Sequence, residues 1–451
     1  MALPQASAVP TLGVRVLLLA CACRRSAAGS QPSLSSARTP PVSLRQPSDT
    51  CHTIVAPASQ HGFPLSHHSK SGKTWYMPVY SSAPLLAPAE NVTRAVVYLH
   101  GAAGNAIDYF CDAMAVAESL NATEDTLTVA PWFGSEHTVE AKTKQGWDPA
   151  FPGSWSPLWW DHSTHEAISW TDGGDSGSTT GAGSHISSFQ VLNELVGLLS
   201  SMWPQLETIA ISGFSAGCQL ALRWAFFAQA DFGKVRLVVS DCNTYMYNTA
   251  ERPAESCRPL EDTESGHWCD EFEVPNATEY PPMEYNAYKY GTILEGTRYV
   301  DRGYRYLLPF QAASAIERAA AAFYTKDIRF VFGTQDVCNC RDPEFNNSEA
   351  FCFPRACAGH CADTFPDGTC HNLVDIRPAA MLQGSNRLQR GLNYAAYLQT
   401  KPHPGNRKAP DFFVGGHDDK GFFNSVAFKA WAFGIHLDEA AASEPPNAWR
   451  R

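Results

Sequence analysis

The segment that most constrains the fold is LETIAISGFSAGCQLALRWAFF, which spans residues 206–227. Its apolar first third predicts a buried strand, and apolar residues at helical spacing in its second half predict a helix. Between them, Gly213 and Gly217 flank Ser215, and small residues at both positions allow a sharp turn that exposes the serine hydroxyl. The helix dipole and the free N–H of Ala216 favour an oxyanion at this point. The segment therefore predicts a serine nucleophile, whereas the motif alone is also compatible with an ordinary glycine-rich turn.

A second turn of small residues, His100-Gly-Ala-Ala-Gly-Asn105, directly follows the apolar, β-branched stretch 94–99. Small side chains let a backbone approach a substrate carbonyl closely. The N–H of Ala102 or Ala103 is therefore expected to join that of Ala216 in an oxyanion hole. A turn without a catalytic role is the alternative.

Three polar residues at predicted strand ends are candidate partners for the serine. His417 follows the last predicted strand after two glycines, although a lone histidine is more often structural. Asp336 ends the turn Gly-Thr-Gln-Asp after a strand at 328–332, and Asp241 ends the strand at 235–240. Strand position alone leaves both aspartates as candidates. The glycine turn favours Asp336, because the chain must leave the sheet directly after Asp241.

Alternation of strands and helices predicts an α/β fold with a mostly parallel central sheet flanked by helices. We expect one catalytic domain at residues 61–451. The formal net charge of −11 makes nucleic acid an improbable partner.

Three stretches depart from this alternation. Residues 131–184 are rich in tryptophan, which predicts an ordered loop whose tryptophans either line a substrate cleft or form a small core. Residues 244–327 predict a lid-like insertion. Residues 338–370 hold six cysteines without paired CxxC spacing, which favours disulfides over a zinc site. No metal or other cofactor is expected.

The N-terminal region predicts export. Residues 12–23 form a short apolar run followed by small residues, so residues 1–28 are predicted to be a signal peptide, with an uncleaved anchor as the alternative. Residues 29–60 are predicted to be a flexible Ser/Pro-rich leader. Fourteen cysteines less the two at 21 and 23 leave twelve, an even number, and glycosylation sequons occur at Asn91, Asn121, Asn276 and Asn346. These features predict a secreted or endomembrane-lumen glycoprotein with disulfide bonds. No later segment is long and apolar enough to span a membrane.

The order of HGAAGN (100–105), GFSAG (213–217), GTQD (333–336) and GGHD (415–418) resembles the α/β-hydrolase superfamily. The spans 185–199 and 381–398 also resemble an uncharacterised branch of secreted serine hydrolase-like proteins. The resemblance implies that Ser215 is the nucleophile, His417 the general base and acid, and Asp336 its orienting acid.

The sequence departs from the commonest family pattern in two places. Alanine replaces glycine in the oxyanion loop, which puts the size of the acyl group in doubt, and Cys218 stands where a third glycine is frequent.

The expected reaction is hydrolysis of a carboxylic ester through an acyl-enzyme, with a small-molecule or acyl substrate and no cofactor. Peptidase, lipase and transacylase activities remain open, because substrate choice resides in the insertions. A non-catalytic binding or adhesion module is the alternative from another class.

Overall fold

The computed structural model describes residues 50–65, 74–135, 139, 147, 155–160, 169–177, 184–257, 269, 271–301, 304–336, 374–375, 377–402 and 409–435. These residues belong to one compact unit, Pro47–Arg451. The predicted signal peptide, the cysteine-rich stretch 338–370 and the sequon at Asn346 lie outside the described residues.

A single large sheet organises the unit. Its main strands are β1 (Gln60–Pro64), β2 (Trp75–Ser81), β3 (Arg94–Leu99), β4 (Thr126–Pro131), β5 (Thr208–Phe214), β6 (Val235–Ser240), β7 (Asp327–Gly333) and β8 (Asp411–Phe413). Their order is β1-β2-β4-β3-β5-β6-β7-β8, and the two-residue strand Ser156–Pro157 also pairs with β2. The pairs β1/β2 and β2/β4 are antiparallel, and all pairs from β4/β3 to β7/β8 are parallel. The predicted mostly parallel sheet is confirmed.

Helices cover both faces of the sheet. The longer ones are α1 (Ala106–Ser119), α2 (Ser188–Met202), α3 (Ala216–Phe227), α4 (Ala313–Tyr324), α5 (Arg387–Gln399), α6 (Asp419–Asn424) and α7 (Val426–Phe433). Shorter helical turns lie at Cys51–Val55, Ala56–Ala58, Trp170–Asp172, Glu255–Cys257, Pro282–Tyr285, Arg298–Asp301, Leu308–Phe310 and Pro378–Met381. Within the described residues, no helix is both long and apolar enough to cross a membrane.

The strands of the sheet are buried on both faces, and their side chains alternate between two apolar cores. In β3, Val97 and Leu99 join the core on the α2 and α3 side, while Val96 and Tyr98 join the core on the α1 and α7 side. This alternation follows from the twofold period of a strand. It explains why β3 is a continuous apolar run in the sequence.

The tryptophan-rich stretch contributes to the two sheet cores. Trp132, Trp147 and Trp159 pack into one core and Trp160 and Trp170 into the other, and all five are buried. These five tryptophans do not form a separate core, because their rings pack with the apolar side chains of the strands; Trp132 in addition lines a cavity beside the loop after β3.

Two predicted boundaries differ in the structure. The leader predicted for residues 29–60 is helical from Cys51, because a disulfide ties Cys51 to Cys111 on α1. The insertion predicted for residues 244–327 ends in α4, which packs on α3 through Phe323 and Phe226, with ring centroids 5.7 Å apart. Helix α4 thus forms the ordinary crossover into β7. A disulfide between Cys257 and Cys269 closes a loop within the rest of the insertion.

Candidate active site

Ser215 lies at the turn between β5 and α3. Its φ of 55° and ψ of −113° form a strained conformation for a residue with a side chain. Its N–H donates a hydrogen bond to the carbonyl of Ser240 at 3.0 Å, which fixes the turn. A Cβ on Gly213 would lie 2.4 Å from the carbonyl oxygen of Gly217, and a Cβ on Gly217 would lie 2.0 Å from that of Leu99. Both glycines are therefore required by the close approach of backbone atoms.

His417 lies in the loop after β8 and contacts two of the predicted site residues. Its Nε2 is 2.9 Å from Oγ of Ser215, and its Nδ1 is 2.7 Å from Oδ2 of Asp336. The ring packs against Phe214, with centroids 4.6 Å apart. In the neutral tautomer that donates from Nδ1 to the carboxylate, Nε2 is free to accept the hydroxyl proton of Ser215. The structure thus connects Ser215, His417 and Asp336 by two consecutive hydrogen bonds.

The carboxylate of Asp336 is held in place by the loops after β7 and β8. The N–H of Thr334 donates to the carbonyl of Phe413 at 3.0 Å, and the N–H of Gln335 donates to the carbonyl of Gly415 at 2.8 Å. Asp336 itself is 1% exposed. These backbone bonds aim its side chain inward at the imidazole.

Arg387, at the start of α5, is a site residue that the sequence analysis missed. Its guanidinium nitrogen is 3.8 Å from Oδ1 of Asp336, and both side chains are almost fully buried. A buried cation at this distance compensates the buried carboxylate. Nothing in the sequence pattern of the span 381–398 distinguishes Arg387 from the other arginine of the helix, Arg390.

Asp241 also lies close to the imidazole but occupies a different environment. Its carboxyl accepts hydrogen bonds from the Ser240 hydroxyl at 2.9 Å and, at 3.3 Å, from the N–H of Gly333. Burial and then repulsion by Asp336 raise the pKa of Asp241 well above its usual value. Asp241 is therefore more readily protonated than an ordinary aspartate.

Oxygen and nitrogen atoms of Asp241, Asp336 and His417 lie within 4.8 Å of one another, a spacing that suits a metal ion. Both imidazole nitrogens already have partners, Nδ1 in Asp336 and Nε2 in Ser215. A metal at this point would compete with those two hydrogen bonds. These side chains are therefore better arranged to transfer a proton between Ser215 and His417 than to bind a metal ion.

The predicted oxyanion residues lie on two neighbouring segments. Ala216 is buried in the first turn of α3, whereas Ala102 and Ala103 are exposed at the tip of the loop after β3. The base of this loop lies against the turn that holds Ser215: a Cβ built on Gly217 would be 2.9 Å from the carbonyl oxygen of His100. The loop tip also borders a cavity of about 400 Å³, which is lined by Tyr80, Ala102, Ala103, Gly104, Asn105, Ala106, Ile107, Trp132, Gly134 and Ser135.

Buried side chains fix the shape of the loop at residues 100–105, where the sequence predicts the oxyanion hole. His100 is fully buried and donates from Nδ1 to the carbonyl of Gly101 at 2.8 Å, while its Nε2 accepts the N–H of Phe133 at 3.0 Å. The indole N–H of Trp132 donates to the carbonyl of Gly104 at 2.9 Å. The loop is therefore braced by the residues that directly follow β4.

A disulfide joins Cys218, three residues after Ser215, to Cys242, the residue after Asp241. It fastens the first turn of α3 to the end of β6. Cys218 is the position where the sequence departs from the frequent third glycine, and the bridge explains that departure. The sequence analysis did not pair these two cysteines, because connectivity cannot be read from spacing.

The strand order, with β2 antiparallel to β1 and β4 near one edge and a serine at the turn between β5 and α3, defines the α/β-hydrolase fold. No protein-family model matches the chain, and no curated protein matches its sequence.

Among solved structures, the chain is similar to poly(aspartic acid) hydrolase-1 from Sphingomonas sp. KT-1, with 16% identity, coverage of 81% of this chain and 95% of that one, and a TM-score of 0.43. It is also similar to the poly(3-hydroxybutyrate) depolymerase LpqC from Bordetella parapertussis, with 15% identity, coverage of 84% and 92%, and a TM-score of 0.42. A third is the siderophore hydrolase EstB from Aspergillus nidulans, with 14% identity, coverage of 83% and 92%, and a TM-score of 0.32.

Proposed function

We propose that the protein is a serine hydrolase that cleaves carboxylic esters through an acyl-enzyme. The observation that carries the proposal is the row of hydrogen bonds from Ser215 through His417 to Asp336, at 2.9 and 2.7 Å. A serine hydroxyl is a weak nucleophile unless a base accepts its proton during attack. His417 is that base, and Asp336 holds its tautomer and stabilises the imidazolium that forms.

The reaction has two steps. Oγ of Ser215 attacks the ester carbonyl while its proton moves to Nε2 of His417, and the N–H of Ala216 with that of Ala102 or Ala103 stabilises the oxyanion. His417 then protonates the leaving alkoxide, and the acyl-enzyme forms. Water, deprotonated by the same imidazole, releases the acid and regenerates Ser215.

Secretion or residence in the endomembrane lumen is part of this proposal. Disulfides join Cys51 to Cys111, Cys218 to Cys242 and Cys257 to Cys269. Disulfides persist in oxidising compartments. The sequon residues Asn91, Asn121 and Asn276 are all exposed, as a glycan requires.

The proposal is tested with a fluorophosphonate probe and a short-chain 4-nitrophenyl ester. The wild-type protein should label and turn over, and Ser215→Ala should lose labelling and about 10⁶-fold in kcat if chemistry is rate-limiting. Ser201→Ala makes the same change at an exposed serine near the end of α2 and serves as a control that keeps its labelling. Labelling without ester turnover would favour a peptidase or transacylase, and absence of labelling would favour a non-catalytic module.

A further inference from the structure

Two buried carboxyl groups lie beside the imidazole of His417, although one carboxylate is enough to orient a catalytic histidine. Oxygen atoms of Asp241 and Asp336 and a ring nitrogen of His417 lie within 4.8 Å of one another. Asp241 is 0% exposed and Asp336 is 1% exposed. Asp241 also has a φ of 52°, a strained conformation for a residue with a side chain. The proposed ester hydrolysis assigns no role to Asp241, so the second carboxyl group requires an explanation.

Each carboxyl group has hydrogen-bond donors that stabilise its charged form. The Ser240 hydroxyl donates to Asp241 at 2.9 Å, and the N–H of Gly333 donates to both of its oxygens at 3.3 Å. Oδ2 of Asp336 accepts from Nδ1 of His417 at 2.7 Å, whereas its Oδ1 accepts no hydrogen bond from any residue that the structure describes. These hydrogen bonds alone therefore favour a negative charge on Asp241 at least as much as on Asp336.

Repulsion prevents both carboxyl groups from being charged together at this separation. Burial and then repulsion by Asp336 raise the pKa of Asp241 well above its usual value, so the pair retains one proton. If that proton were on Asp336, its O–H would donate to Nδ1 of His417, and the imidazole would carry its own hydrogen on Nε2. Nε2 could then not accept the proton of Ser215. The location of one proton thus decides whether the serine is activated.

The guanidinium of Arg387 approaches the pair from the side of Asp336. Its Nη1 is 3.8 Å from Oδ1 of Asp336, and the two side chains are 4% and 1% exposed. The N–H of the next residue, Leu388, donates to the backbone carbonyl of Asp336 at 3.1 Å, which fastens the start of α5 to the loop after β7. Burial and Asp336 have the largest effects on the pKa of Asp241, and Arg387 has the smallest. The cation therefore favours a negative charge on Asp336 over one on Asp241.

Helix α5 does not itself require a cation at this position. Arg387 is its first residue, and the side chain of Asn386 caps the helix by accepting from the N–H of Gln389 at 2.8 Å. The helix dipole disfavours a positive charge in the first turn, and burial of the guanidinium adds to the cost. The nearby carboxylate of Asp336 offsets that cost.

Two further ionisable side chains lie near the pair, and neither supplies the same charge. Burial and then Asp241 raise the pKa of the Tyr245 phenol well above its usual value, so Tyr245 is neutral. The shortest hydrogen bonds of Arg390, one turn further along α5, go to backbone carbonyls, those of Gly384 at 2.9 Å, Asn243 at 2.7 Å and Asp375 at 2.6 Å. Arg390 is thus a buried arginine of the same helix with different partners.

We propose that Arg387 is a positioning residue: it keeps the negative charge on Asp336 and leaves the shared proton on Asp241. His417 then retains the tautomer whose Nε2 accepts the proton of Ser215. Removal of Arg387 lets the proton pass to Asp336, unless Asp241 is replaced as well. This inference rests on the proposed ester hydrolysis, and it assigns to Arg387 an effect on the serine that acts through Asp336 and His417.

The test is a double-mutant cycle on Arg387 and Asp241, measured as the second-order rate constant for labelling of Ser215 by a fluorophosphonate. Arg387→Gln should slow labelling at least about tenfold in the wild-type background, but less than about threefold in the Asp241→Asn background, where no second carboxyl group can exchange the proton. Arg387→Lys keeps the charge and should lose less than Arg387→Gln. Arg390→Gln is the matched control, because any loss that it causes should be the same in both backgrounds.

Equal losses from Arg387→Gln in the two backgrounds would overturn the proposal, because a purely structural role of the arginine does not depend on Asp241. If Arg387→Gln does not fold, judged by its melting curve, the double variant decides the question. Arg387→Gln/Asp241→Asn should fold and label within about threefold of the rate of Asp241→Asn. A double variant that is unfolded, or slower than this, would refute the role of Arg387.

The tautomer of His417 separates this inference from the proposed function. Nitrogen-15 NMR of histidine-labelled protein at mildly alkaline pH, with the signals assigned by their loss in His417→Gln, reports which ring nitrogen bears hydrogen. The hydrogen should be on Nδ1 in the wild-type protein, shift to Nε2 in Arg387→Gln, and return to Nδ1 in Arg387→Gln/Asp241→Asn. This pattern in a protein that neither labels nor hydrolyses esters would support the role of Arg387 and refute the esterase. Labelling and turnover by the wild-type protein, with an unchanged tautomer in Arg387→Gln, would refute the role of Arg387 alone.

Discussion

Replacing each of the two aspartates near His417 by asparagine tests how the carboxyl pair divides its roles. Asparagine has nearly the size of aspartate, so both changes remove charge with little loss of packing. The carboxylate of Asp336 is 2.7 Å from Nδ1 of His417. An amide that offers its N–H₂ to Nδ1 favours the tautomer with hydrogen on Nε2, which cannot accept the proton of Ser215. We therefore expect Asp336→Asn to lose about 10⁴-fold in kcat, as in serine proteases.

Asp241→Asn should lose less than about tenfold. Burial and repulsion by Asp336 raise the pKa of Asp241, so the change replaces a readily protonated carboxyl by a neutral group of the same shape. The amide oxygen can still accept from the Ser240 hydroxyl and the N–H of Gly333.

The stability of the Asp241→Asn variant relative to the wild-type protein should depend on pH. The folded-state pKa of Asp241 lies above that of the unfolded chain, so its contribution to stability is present at low pH and is lost as pH rises through the folded value. The asparagine that replaces Asp241 in the variant does not titrate. The melting temperature of Asp241→Asn, relative to the wild-type protein, should therefore increase as pH is raised.

The assay is hydrolysis of a 4-nitrophenyl ester by variants whose melting temperatures at neutral pH match the wild-type value. A loss of several orders of magnitude in Asp241→Asn, with activity retained in Asp336→Asn, would assign the orienting role to Asp241. That result would not change the proposed roles of Ser215 as nucleophile and His417 as general base.

Three further outcomes are expected. Cys218→Ala/Cys242→Ala removes a bridge across 24 residues and should lower the free energy of unfolding by about 3 to 4 kcal/mol in denaturant titrations; an unchanged midpoint would contradict this. Asp112→Asn should raise the melting temperature at pH 8 but not at pH 4, since burial raises the pKa of Asp112 to about 6 and its ionisation above that pH opposes folding by roughly 1 to 3 kcal/mol. Protein from a eukaryotic host should begin near Gly29 and lose mass on deglycosylation; an intact N-terminus without glycan would refute the export prediction.

The sequence by itself predicted the elements whose patterns are local. The pair Gly213 and Gly217 predicted the sharp turn at Ser215, and the structure shows why glycine is needed: a Cβ at these positions would lie 2.4 and 2.0 Å from backbone carbonyl oxygens. The apolar strands and their order predicted the parallel sheet. Since parallel strands end at one edge, the sequence also predicted that Ser215 and His417 lie together there.

Tertiary structure decided what depends on contacts between distant segments. Strand position left Asp241 and Asp336 as alternatives and the glycine turn favoured Asp336, whereas the 2.7 Å hydrogen bond between its carboxylate and His417 depends on the packing of the loops after β7 and β8. The Cys218–Cys242 bridge and the position of Arg387 beside Asp336 were likewise not predicted. Each depends on two or more segments far apart in the chain, and their proximity is set by packing of the whole core rather than by any local pattern.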